Sequence, residues 1–301
     1  MRAVEERRSW LRSRPDTDAP PDTDAPFDPS RLASGAGDGD AVSSRAPQAT
    51  RIVATDHRLH LPEVEPLLLT TVQVSTLSGS TLLTRASGFF FRSGPILFLV
   101  TSRHVLFDPG SGHLPDAVEF NVHTESRNLA LTCPVRLPLY SGGVGLWRQG
   151  RDRGGDVDVA VLEVQRERVP AKAVMHVFTE NHLLSTFALV DAGSPALLVG
   201  FPLGFHDTLH HLPVLRHAIV ASSFGLRFQG LGCFLTDGRA HRGSSGAPVV
   251  VRASGRESAF PWKLVGVHSS RFDMGSRDIS QDESLGLNCA WYADILRTLT
   301  S

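Results

Sequence analysis

The chain has 301 residues, with 30 Lys and Arg against 31 Asp and Glu, and 41% of its residues are hydrophobic. That length suffices for one large or two modest domains with real cores. The nearly cancelled charge excludes nucleic-acid or anionic-membrane partners held by bulk charge, and no run approaches the roughly 18 apolar residues of a membrane span.

The opening residues, MRAVEERRSWLRSRPD, are charged throughout and contain no apolar stretch of the kind a secretory leader needs. Cys133, Cys233 and Cys289 lie far apart without a CxxC pair, so they make neither a disulfide framework nor a zinc site. Both features predict a reducing, cytoplasmic setting. Residues 1–60 read as a disordered arm: PDTDAP occurs twice, from Pro15 and from Pro21, and SGAGDGD follows without apolar periodicity.

From about residue 61 to 300 the texture is that of a folded domain. Short apolar or β-branched runs recur between Gly, Pro, Ser and Asp: LLLTTVQVSTL, TLLTRASGFFF, PILFLVTSRHVL, VDVAVLEV, PALLVGFP, LRHAIVAS, GCFLTDG, APVVVRA, WKLVGVHSS and LGLNCAWYA. This spacing predicts an all-β fold. A pair of antiparallel barrels fits, one over about 67–165 and one over about 186–290, with a seam where QRERVPAKAVMHVFTENH breaks the rhythm. Trp291, Ile295 and Leu299 stand four apart, which predicts a closing helix over about 289–299.

Three segments carry chemistry: SGFFFRSGPILFLVTSRHVL, GGDVDVAVLEV and DGRAHRGSSGAPVVV. They offer the imidazole of His104 after an apolar strand, a carboxylate opening another strand (Asp156 or Asp158), and a serine in a Gly-Ser-Ser-Gly turn (Ser244 or Ser245). A serine hydroxyl needs a base to take its proton, and the base needs an acceptor that fixes its tautomer. The glycines leave the N–H groups of Gly243 and Ser245 free to converge on an oxyanion.

These segments resemble the signature regions of trypsin-like peptidases of the bacterial kind, in which a Gly-Phe strand is followed by LVTxRHV, then DVAVL, then GxSGxPVV. The order His, Asp, Ser is that of the chymotrypsin type. VGFPLGFHDTL and FLTDGRAHRGSSGAP are similar to segments of HtrA-like relatives, and the likeness spans about 67–300. The resemblance implies a chymotrypsin-like double barrel and a serine endopeptidase acting on polypeptides through an acyl-enzyme, without a metal or other cofactor. It assigns His104 as base, Asp158 as its orienting carboxylate and Ser245 as nucleophile, with Gly243 and Ser245 as the oxyanion hole. Ser244 stands where activated relatives carry an aspartate for a new amino terminus. The RIV at Arg51–Val53 is therefore read as coincidence, and the site as constitutively formed.

In LVGVHSSR, the resemblance places Ser269 behind Asp158 and His268 in the first specificity pocket, where glutamyl endopeptidases and exfoliative toxins bind an acidic side chain. Arg239, six residues before Ser245, falls at the pocket-floor position, and Arg271 follows His268 by three. His206, His210, His211 and His217 read as a solvated loop, since nothing resembles HExxH. Cys233 and Cys289 read as buried thiols. The chain's end near the closing helix leaves no room for a PDZ module, and the rival reading is a docking module with the same fold.

Overall fold

Antiparallel strands organise the first half of the domain. β1 (Thr71–Ser78), β2 (Thr81–Ser93) and β3 (Ile96–Thr101) form an antiparallel meander, and its turns carry Gly79 and Gly94 at positive φ. β4 (Ala117–His123) and β5 (Thr132–Pro138) extend the sheet beyond β1, while β8 (Trp147–Asp152) and β9 (Gly155–Glu163) extend it beyond β3. The strand order is β5-β4-β1-β2-β3-β9-β8, with the two-residue β10 (Phe178–Thr179) parallel to β2. A small ribbon, β6 (Tyr140–Ser141) with β7 (Val144–Gly145), stands apart from it.

Because successive strand side chains point to opposite faces, β2 serves two cores. Ala86 and Phe90 enter one with Val74, Leu99, Phe120 and Leu162, drawn from five strands of the sheet, so the sheet wraps its own interior. Phe89 and Phe91 point the other way and meet Val250, Leu264, Val267 and Trp291 from the second half. Phe89, Phe90 and Phe91 are all at most 1% exposed, and burial of each contributes about 1.5–3 kcal/mol. Phe89 and Phe91 thus contribute, with Phe98, Val100 and Val159, to a core shared by the two halves.

The second half is a closed barrel of β11 (Pro195–Gly200), β12 (Val214–Val220), β13 (Cys233–Asp237), β16 (Leu287–Tyr292), β15 (Trp262–Arg271) and β14 (Pro248–Arg252), in that order. Between the halves, residues 165–190 run through three single-turn 3-10 helices, at Arg166–Arg168, Glu180–His182 and Phe187–Leu189. The closing helix occupies Ile295–Leu299, shorter than the periodicity suggests. Cys289–Trp291 are claimed instead by β16, whose backbone pairs with both β13 and β15.

This computed structural model describes residues 64–253, 260–271 and 286–301, apart from the Arg271 side chain. The arm expected over 1–60, Arg51–Val53 included, lies outside them. Among the described residues, no helix is long and apolar enough to cross a membrane.

Candidate active site

His104 lies just past the end of β3, in a four-residue helix, Arg103–Leu106. Val105 and Leu106 are buried and hold this turn against the sheet, leaving the imidazole partly open to the cleft. Asp158 sits within β9, where Val157 and Val159 point inward, so Asp156 and Asp158 share the opposite face. The two aspartates are then separated by their surroundings. Asp156 is exposed, with Arg151 Nε at 3.9 Å. Asp158 is enclosed: its Oδ2 lies 2.7 Å from His104 Nδ1, and its Oδ1 accepts from the His104 backbone N–H at 2.9 Å.

The Ser269 hydroxyl adds a third bond to Asp158, at 2.5 Å to Oδ2. Burial works against the carboxylate's charge. The bond from the His104 ring, the attraction of that ring, the Ser269 hydroxyl and the His104 amide outweigh it, so the carboxyl is held below its usual range. The arrangement can keep a proton on His104 Nδ1 and present Nε2 as a base.

Ser245 lies in the turn between β13 and β14, and lines the same cleft as His104. Its hydroxyl donates to the Ser269 carbonyl at 2.9 Å. Ser244 is 4% exposed and lies behind it. Gly243 has φ +88°, and a Cβ there would collide with the Phe201 carbonyl, so the turn requires glycine. Among the described residues, the N–H groups of Gly243 and Ser245 have no hydrogen-bond acceptor in the protein, whereas the neighbouring amides of Ser244 and Gly246 bond to the His241 and His268 carbonyls. Two unspent donors two residues apart can receive a developing oxyanion.

A residue without a motif signal fastens this turn. Ser87 on β2 donates its backbone N–H to the Ser245 carbonyl at 2.9 Å and its hydroxyl to the Gly243 carbonyl at 2.7 Å. The same oxygen accepts from the Phe201 N–H at 3.0 Å. Asn288 was equally silent in the sequence. Its Nδ2 donates to the Gly238 carbonyl at 2.7 Å, steadying the segment that leads into the Ser245 turn.

His268 is 2% exposed on β15, and its carbonyl accepts from Ser102 Oγ at 3.1 Å. Among the described residues, its Nδ1 and the Asn288 Oδ1 are buried atoms without a hydrogen-bond partner. Desolvation, with a smaller repulsion from His104, lowers the His268 pKa to about 4, so the ring is neutral near pH 7. Arg239 is exposed, and its carbonyl holds Arg216 Nε at 3.2 Å. Among the described residues its side chain bonds to neither His268 nor Ser269.

The His206 and His211 rings stack with centroids 6.1 Å apart, and His217 lies on a strand and not in the loop. His206 Nδ1 lies 2.6 Å from the Gly204 carbonyl, His210 Nδ1 lies 2.7 Å from Asp207 Oδ2, and His217 is exposed on β12. Among the described residues, no three His, Cys, Asp or Glu side chains are placed to hold a metal. Cys233 and Cys289 are buried free thiols.

A family model for the trypsin-like peptidase domain matches residues 86–259, which include His104, Asp158 and Ser245. No curated protein matches the chain. One similar solved structure is the serine endoprotease from Yersinia pestis, at 14% identity and a TM-score of 0.47 over 79% of this chain. This chain spans 64% of that protein's length. With more than half of its residues matched, the chain belongs to the trypsin-like peptidase domain family.

Proposed function

We propose that the protein is a serine endopeptidase that cleaves polypeptides through an acyl-enzyme. Ser245 attacks the scissile carbonyl, His104 takes its proton and later returns it to the leaving amine, and Asp158 orients the ring. The amides of Gly243 and Ser245 hold the oxyanion. The observation that carries this reading is the threefold grip on Asp158: His104 Nδ1, the His104 amide and Ser269 Oγ converge on one carboxylate. In the resting protein the Ser245 hydroxyl bonds to the Ser269 carbonyl, so substrate binding must accompany a rotation of its χ1 toward His104.

We further propose that an acidic residue ahead of the scissile bond is recognised on the β15 side of Ser245, with His268 as its donor. The unpartnered Nδ1 supports this, since an orphaned buried polar atom costs about 1–3 kcal/mol and a substrate carboxylate would satisfy it. Such an anion also favours the imidazolium, raising a pKa that burial has lowered. Labelling by a fluorophosphonate probe tests the nucleophile. A pair of fluorogenic peptides, Glu against Leu before the bond, tests the pocket. Labelling that survives Ser245→Ala would refute the assignment, and equal rates on the two peptides would remove the acidic pocket while leaving the triad.

A further inference from the structure

Ser245 lies between two unlike flanks. One is β15, with Ser269 and His268. The other is a recess of about 710 Å³ walled by His104, Val105 and residues 82–86 of β2. This recess adjoins another of about 340 Å³ that reaches Leu203. Since His104 delivers its proton to the leaving amine, the leaving half of a substrate departs along the β2 flank. This rests on the peptidase reading above.

Three observations on that flank converge. First, β3 pairs with β2 only over Phe89–Ser93, so residues 82–86 keep one backbone edge uncovered by any strand among the described residues. An extended peptide can add to such an edge. Second, Arg85 and Arg242 both line the two recesses. Their guanidinium groups are exposed and have no ion-pair or hydrogen-bond partner among the described residues. Third, Leu82 and Leu83 are 41% and 39% exposed beside them. The opposing carboxylate, Asp108, belongs to the His104 wall and is bonded to Ser111 Oγ at 2.6 Å.

The register gives a position. Ser87 bonds to Ser245, fixing that point of β2 beside the nucleophile. Arg85 stands two residues back, about 7 Å along the strand at about 3.4 Å per residue. An extended leaving half advances at the same rate. We infer that the cleft selects an acidic side chain at the second residue beyond the scissile bond, read by Arg85 and Arg242.

The test is a peptide series identical except for Glu, Gln or Lys at that second position, cleaved by the wild type, Arg85→Gln, Arg242→Gln and the double variant. Fluorophosphonate labelling of Ser245 is followed in each. The expected wild-type kcat/KM favours Glu over Lys by about tenfold at low salt, with Gln between. The ratio should fall to within about twofold in the double variant while labelling rates stay unchanged. Equal rates on Glu and Lys in a wild type that labels would overturn the inference, as would a preference that survives both substitutions. A wild type that does not label would overturn the peptidase reading, and this inference with it.

Discussion

Under the proposed function, the two walls beside Ser245 would recognise charge by opposite physics. On the β15 wall, His268 is nearly sealed from solvent, neutral, and short of one hydrogen-bond partner. On the β2 wall, Arg85 and Arg242 stand in solvent with permanent charge. A buried group acts at contact distance, resists screening and titrates; exposed guanidinium groups act over several ångströms, do not titrate and fade with salt. One cleft can therefore carry a pH-sensitive subsite and a salt-sensitive subsite that respond independently.

Substitutions that erase both walls' influence at once should have the largest effects. Ser245→Ala should lower turnover by about 10⁴-fold or more on every peptide, leaving a folded protein that still binds substrate. Asp158→Asn should cost about 10³- to 10⁴-fold by destabilising the productive tautomer of His104, as read by kcat across the whole peptide set. Gly243→Ala sets a Cβ against the Phe201 carbonyl. It should lower kcat by about 10²-fold by displacing one oxyanion donor, and a differential scanning trace should show a lower Tm.

Smaller effects separate the walls. His268 has a folded pKa of about 4 against an ordinary 6.5, so the unfolded chain binds more protons between those values. Its contribution to stability is complete above pH 6.5 and is lost as pH falls toward 4, about 3 kcal/mol in all. Denaturant midpoints should show a decline across that window that His268→Gln flattens. His268→Gln should also lose the preference for Glu before the bond while sparing the response to Arg85. A His268 variant with an unchanged pH profile would break the contrast. Deleting residues 1–55 should change Tm least, because that segment offers no apolar periodicity for a core.

The strands legible in the sequence were those with dense apolar runs. β4, β5 and β8 were not, for physical reasons: AVEFNVH and TCPVRLP alternate polar with apolar residues on an outer part of the sheet, and WRQGRD is a polar edge. His104, Asp158 and Ser245 stood out in the sequence as candidates because their neighbours are constrained. The turn needs its glycines, and alternation in β9 places Asp158 opposite a buried face. Ser87 and Asn288 act through backbone carbonyls remote in sequence, and a single serine before Gly-Phe-Phe carries no sign of that. Arg239 shows the reverse limit: counting back from Ser245 gave a position along the chain, and the loop turns its side chain to solvent.

Ser87 makes the Ser245 turn a shared possession of both halves. It belongs to the first sheet, yet its amide and hydroxyl hold the Ser245 and Gly243 carbonyls of the second barrel. An opening that frees β2 removes both Ser87 bonds from the turn, even with all six barrel strands still paired. The Ser87 amide, bonded to the Ser245 carbonyl, and the Phe201 amide, bonded to the Ser87 hydroxyl, should then lose their hydrogen-exchange protection together when β2 opens. Catalytic competence would be a property of the assembled pair, lost at the first cooperative opening of either half.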